Sequence, residues 1–170
     1  MSDNLYAPPQ SELVEIIDNK YATASRWKRL WASLIDTLTI MVVTIPVMIL
    51  TGGFDGVSEG VGPSLSYNLL MGAIGLIIFF AINTNLLIKS GQTVGKLALG
   101  IKIVDLNGEK PTFNQHLVKR YAVFFLPGQI PVVGQLISIA NVLFIFGKQK
   151  RCVHDYIAGT IVVDSQHSVK

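Results

Sequence analysis

The sequence predicts an all-α membrane protein with three to four transmembrane or re-entrant helices and a small cytoplasmic β-hairpin or three-stranded element. Three observations predict it. Half of the 170 residues are hydrophobic and only 15% are charged, where a soluble domain carries about a quarter. Mean hydropathy is +0.48, and the apolar residues come in long blocks. Lysines and arginines flank those blocks, as they do in cytoplasmic loops. The net charge of +3 is therefore read as topology rather than nucleic-acid binding, because no basic stripe is interleaved with aromatics.

Residues 1–25 are polar, carry Pro8 and Pro9, and are expected to form a flexible cytoplasmic tail with a short helix over 11–19. They lack a basic segment followed directly by an apolar core, so the first span is expected to be an uncleaved anchor. That span runs from about Leu30 to Leu50, roughly 31 Å of helix and enough for a hydrocarbon core of about 30 Å. Trp27 and Trp31 stand at its start, where an interfacial aromatic belt belongs, and Pro46 is expected to kink its far end. The loop after it has no Lys or Arg. The second span, about Tyr67 to Ile88, contains Gly72 and Gly75, read as points of close helix approach. A basic stretch follows from Lys89 to Arg120. Charge bias then places that stretch and the N-terminus inside, and residues 51–66 outside.

Within the basic stretch, residues 100–112 alternate and contain Asn107-Gly108, a strong hairpin signal. Thr160 to Asp164 reads as another short strand that could join it. The apolar region 121–147 is interrupted by Pro127, Gly128, Pro131 and Gly134. If it enters the membrane and returns, with the proline cluster at the turn, Lys148, Lys150 and Arg151 fall inside, so the return is preferred to a single crossing. The C-terminus, with residues 165–170 as a tail, is then cytoplasmic too.

Asp36 is the most informative residue. It lies roughly 9 Å into the first span, where a charge costs about 2.5–3.5 kcal/mol and needs a partner. It is read either as an ion or proton site or as an aspartate that hydrogen-bonds neighbouring helices. Arg29, two turns earlier, lies on nearly the same helical face, with Ser33 between. Arg29 is read as tuning Asp36, or as a snorkelling anchor. Asn83, Thr84 and Asn85 in the second span, and Asn141 in the returning arm, sit at similar depth and are candidate partners, or helix–helix glue.

Other motifs carry less. GQTVGK (Gly91 to Lys96, with Gly95 inside it) resembles a phosphate loop, but three residues rather than four separate the glycines and Leu97 follows the lysine. Nucleotide hydrolysis is excluded on that spacing. The segment can still open a short helix whose N-terminus attracts a lipid phosphate or a carboxylate. His154-Asp155 lacks metal-ligand spacing, and Asp155 is read as capping a turn or pairing with Arg151 or Lys150. The single cysteine, Cys152, is read as a spectator thiol. No catalytic constellation is present, so no enzyme activity, cofactor or metal is expected.

Together RLWASLID (Arg29 to Asp36), GQTVGKLALGIKIVDLNGE (Gly91 to Glu109, including Gly100), KRY at 119–121 and RCVHDYIAGTIVV (Arg151 to Val163) resemble the RDD family of membrane proteins. The resemblance implies a membrane domain over 26–164. It also implies that the arginine and two aspartates for which the family is named are Arg29, Asp36 and Asp155. It further implies a bacterial inner-membrane protein. Two functions stay open. One is a small, homo-oligomeric transporter of a cation, a proton or another small ligand through Asp36. The other is a scaffold that assembles other membrane proteins in the bilayer.

Overall fold

In the computed structural model, residues 21–127, 130, 133–147 and 151–168 are described. The expected helix over 11–19, the residues of the proline turn at 128, 129, 131 and 132, and Lys148 and Lys150 lie outside them. In chain order the elements are β1 (Tyr21–Thr23), α1 (Arg26–Leu50), α2 (Leu65–Ser90), α3 (Val94–Ala98), β2 (Ile101–Asp105), α4 (Val118–Phe125), α5 (Val133–Leu143), α6 (Val153–Ile157) and β3 (Thr160–Ser168). The molecule is thus mostly helical, with one small sheet. Short 3₁₀ turns lie at Val57–Glu59 and Phe144–Phe146, and a π-helical turn at Phe113–Leu117 leads into α4.

α1 and α2 are long and apolar enough to cross a membrane. Each starts at a serine whose hydroxyl accepts a backbone N–H of the first turn: Ser25 from Lys28 at 3.2 Å, and Ser64 from Tyr67 at 3.3 Å. Most of their surface is apolar and exposed, including Val42, Ile49, Leu50 and Ile77. α1 runs through Pro46 to Leu50. α2 stops at Gly91, whose φ of 68° suits a residue without Cβ. A Cβ there would also lie 2.6 Å from the Ile103 carbonyl oxygen. The close approach expected at Gly75 is looser than predicted: a Cβ there would meet Ile40 Cγ2 at an ordinary 3.9 Å. The tight contact falls instead at Gly95 in α3, where a Cβ would lie 2.1 Å from the Ala32 carbonyl oxygen of α1.

The three strands form an antiparallel sheet in the order β1-β3-β2. Ile103 pairs with Val162 and Val104 with Ile161. Alternation puts Ile101, Ile103 and Val162 against the helices with Ala32, Phe79, Leu87, Leu117 and Tyr121. Val104, Ile161 and Val163 face the other way, under Tyr21 and Leu106. The local hairpin expected at Asn107-Gly108 does not form. The edge of β2 away from β3 is already taken, because Ile103 N–H donates to Gly91 O at 2.9 Å and Gln92 Nε2 donates to Ile101 O at 2.9 Å. Residues 105–109 close instead into a loop in which Asp105 Oδ1 accepts the N–H groups of Asn107 and Glu109. The second partner of β3 is β1, from within the segment read as a tail. β3 likewise continues to Ser168, past the boundary drawn at 164.

In the third apolar region, α4 and α5 span about 12 Å and about 17 Å at the α-helical rise. Neither reaches the length needed to cross alone. Arg120, near the start of α4, is ion-paired with Asp155 beyond the end of α5. Arg26, at the start of α1, donates to Gly147 O at 3.3 Å. The chain leaves the α1 start and comes back to it.

Candidate functional site

Two carboxylates organise the junction between the helices and the sheet. Their geometry differs from the pairing expected of the sequence. Arg29, Ala32 and Asp36 form the buried stripe of α1, but Arg29 bonds Asp155, not Asp36.

Asp36 is 8% exposed. Its Oδ1 accepts the Gly95 N–H at 2.8 Å, and its Oδ2 accepts the Thr93 hydroxyl at 2.5 Å. Lys96 Nζ stands 3.7 Å from Oδ2 and 3.3 Å from Thr93 Oγ1. The partners of Asp36 thus come from the GQTVGK segment. The first turn of α3 is satisfied throughout by its own chain. Asn83 Oδ1 accepts the Val94 N–H at 2.9 Å, Asp36 takes Gly95, and Thr93 Oγ1 takes Lys96. Asn83 in turn donates to Phe79 O. Of the amides proposed by depth, Asn83 borders Asp36 through α3. Asn85 is exposed and away from it. Asn141 lies elsewhere, its Oδ1 accepting the His154 N–H at 3.2 Å and facing His154 Nδ1 at 3.1 Å.

Asp155 is completely buried. Oδ2 accepts from Arg29 and from the Cys152 N–H at 2.9 Å, and Oδ1 accepts from Arg120. It therefore caps α6 and pairs with two guanidiniums from α1 and α4. The side chain of Arg151 donates to the backbone oxygens of Asp155 and Thr160, not to the Asp155 carboxylate, and lies over the Tyr156 ring at 4.2 Å. Arg120 also donates to Thr160 Oγ1 at 2.8 Å. Burial alone would push the Asp155 carboxyl up. Arg120 and Arg29 outweigh it and hold it well below the usual carboxylate range. Burial, with Arg120 beside it, pushes His154 down to about 3, so it is neutral near pH 7. Burial pushes Lys96 down to about 8 despite Asp36.

Cys152, His154 and Asp155 gather donor atoms within 4.8 Å of one another. A cation there would displace two guanidiniums from Asp155 and compete with the contact of His154 with Asn141, and burial pushes the Cys152 thiol up. Those donors suit structure better than metal.

Between the two carboxylates lies a cavity of about 90 Å³. Arg29, Ser33, Asp36, Lys96, Arg120, Tyr121 and His154 line its polar side, and Leu30, Ile40, Phe79, Phe125 and Val162 its apolar side. Thr93, Arg120 and Tyr121 stand inside the GQTVGK and KRY motifs, but the sequence assigns them no site role. The available signal was the KRY triplet between apolar segments, which marks a charge that cannot face lipid. Gly91 and Gly100 act in the backbone: Gly91 ends α2, and Gly100 O accepts both the N–H and the hydroxyl of Ser165.

Comparison with known proteins places residues 23–159 in the description of the RDD family. An uncharacterized protein of Rickettsia prowazekii is 28% identical over 100 residues, which cover 58% of this chain and 51% of that protein. The match thus spans about half the length of that relative. The uncharacterized protein YckC of Bacillus subtilis is 27% identical over 147 residues, 85% of this chain and 86% of its own. No solved structure matches.

Proposed function

This chain belongs to the RDD family, and from that premise we propose that it is a multi-pass inner-membrane protein that passes a proton through the cavity beside Asp36 and Lys96. α1 and α2 are the crossings, and α4 and α5 enter and return. Arg26, Lys28 and Arg29 open α1 and Lys89 closes α2, while residues 51–64 hold no basic residue. Both termini are then cytoplasmic.

The observation that carries this reading is that one cavity touches both Asp36 and Lys96. It has room for several water molecules, and a proton needs only such a hydrogen-bonded route. A bare metal cation is less well served, because Arg29, Lys96 and Arg120 all line the same space. Two crossings and a re-entrant pair make a thin pathway, which favours a homo-oligomer. The test is proton flux into proteoliposomes, driven by a potassium diffusion potential set with valinomycin and read with an internal pH dye. Asp36→Asn and Lys96→Met should each slow it. Flux equal to wild type in both variants removes this pair from the mechanism.

A second reading, a scaffold that assembles other membrane proteins, is favoured by one observation: both Asp36 oxygens are already bonded within the chain. Wild-type flux no greater than that of empty vesicles would leave this reading standing.

A further inference from the structure

We propose that the cavity between the two carboxylates is a binding site for a small, singly charged anion, held by Lys96, Arg120 and the Tyr121 hydroxyl. The proposal concerns binding alone and stands whether or not a proton moves.

The first ground is charge. Among the described residues, the cluster contains three permanent or near-permanent cations (Arg29, Lys96, Arg120) and two carboxylates (Asp36, Asp155). That is 3 − 2 = +1. The imbalance is sharper at the cavity wall. All three cations line it, and among its described lining residues Asp36 is the one carboxylate. Two buried guanidiniums that share one carboxylate leave a net charge that is costly in a medium of low dielectric. The cluster has two ways to relieve it: the lysine gives up its proton, or an anion joins. Lys96 already shows this tension, with its ammonium disfavoured by burial and by Arg120 and Arg29.

The second ground is independent of charge. Tyr121 is 6% exposed and lines the cavity, and among the described residues its hydroxyl hydrogen meets no acceptor, because the polar group beside it is the Arg120 guanidinium, which can only donate. Buried hydroxyls nearly always find one. With Lys96 and Arg120 lining the same space, that O–H is positioned to donate to an anion. Phe79 and Phe125 pack on the Tyr121 ring, with centroids 4.8 Å and 6.3 Å away. They hold the ring in place.

The space admits a halide or a small carboxylate. Leu30 and Thr37, exposed on α1, form part of the wall. The phosphodiester of a lipid could therefore present the same chemistry from the side. The test uses the full chain, delipidated in a neutral detergent near neutral pH. Its unfolding temperature is titrated with sodium bromide against sodium gluconate at equal ionic strength. A parallel titration uses phosphatidylglycerol against phosphatidylcholine. A saturable upward shift with bromide identifies a free anion, and a shift with phosphatidylglycerol alone identifies a lipid phosphate. Lys96→Met should abolish the shift. Tyr121→Phe, which keeps the ring and its packing, should move the midpoint to roughly tenfold higher concentration. Equal responses to bromide and gluconate, with no preference for phosphatidylglycerol, overturn the proposal. So does a Tyr121→Phe protein that titrates like wild type together with a Lys96→Met protein that keeps its shift.

Discussion

Replacing Asp155 by asparagine tests whether this residue is the central tie of the fold. The side chain is completely buried, so solvent screening gives no relief. Its carboxylate is bonded to Arg29, Arg120 and the Cys152 N–H. Asparagine keeps the shape and one acceptor oxygen, so the cap on α6 can survive. What is lost is the negative charge between two guanidiniums, and the cluster goes from +1 to +2. Removing one partner of a buried ion pair typically costs about 3–5 kcal/mol. The upper part of that range is expected here, because two cations lose their partner at once. Arg29→Met makes an instructive contrast. It also breaks a pair with Asp155, but it brings the cluster to neutrality, 2 − 2 = 0, and leaves Arg120 in place. It should cost less than Asp155→Asn by at least about 1 kcal/mol. The assay is reversible unfolding in mixed micelles by a denaturing detergent, followed by far-UV circular dichroism. An Asp155→Asn protein within about 0.5 kcal/mol of wild type, the range of neutral surface changes, would refute the reasoning. So would an Arg29→Met protein that is the less stable of the two.

Gly95→Ala should destabilise by about 1–3 kcal/mol, because the added methyl would lie 2.1 Å from the Ala32 carbonyl oxygen and 3.0 Å from Asp36 Oδ1; the same unfolding assay reads it, and an unchanged midpoint would mean that α1 and α3 do not touch there. Stability should fall as pH drops from about 6.5 towards 3, because the unfolded chain takes up a proton at His154 that the folded chain refuses until about pH 3. In His154→Gln that part of the slope should vanish, and a wild-type slope in the variant would assign it elsewhere. Lys96 should add stability as pH rises between about 8 and 10.5, where the folded chain has shed its proton and the unfolded chain still holds it; Lys96→Met should lose that rise and keep the opposite slope of the raised Cys152 thiol above about pH 9. The pair between Lys28 and Asp164, with the lysine side chain 42% exposed, should contribute no more than about 1 kcal/mol in a double-mutant cycle.

The sequence reveals what depends on period and composition. Two long apolar blocks give α1 and α2, and the β-branched run at 160–163 gives part of β3. It also marks Arg29, Asp36 and Asp155 as residues that need company. It does not reveal which company, because partnership is set by packing across the chain. Arg29 and Asp36 share a face of one helix, which suggests a pair. Yet α3 brings a backbone N–H and a hydroxyl to Asp36, and α6 carries Asp155 to Arg29. The Asn107-Gly108 signal misleads for a related reason. A hairpin needs a free strand edge, and the residues that occupy the β2 edge, Gly91 and Gln92, come from the preceding helix end. The strand Tyr21–Thr23 is too short to announce itself, and it exists because β3 offers it an edge.

The two aspartates are not equivalent. Asp155 is held between fixed guanidiniums that can only donate, and its carboxyl lies far below the usual range. It can accept no proton near neutral pH without releasing two helices. The contacts of Asp36 are of another kind. Its Oδ2 meets a threonine hydroxyl, a group that both donates and accepts and can rotate between the two roles. The same Thr93 hydroxyl lies 3.3 Å from Lys96 Nζ. A proton arriving at Asp36 can therefore turn that hydroxyl from donor to acceptor without breaking the contact between α1 and α3. On the proposed reading, this makes Thr93 the hinge between amine and carboxylate. Thr93→Val, which keeps the shape and removes the hydroxyl, should slow proton flux while Asp155 goes on holding the helices to the sheet.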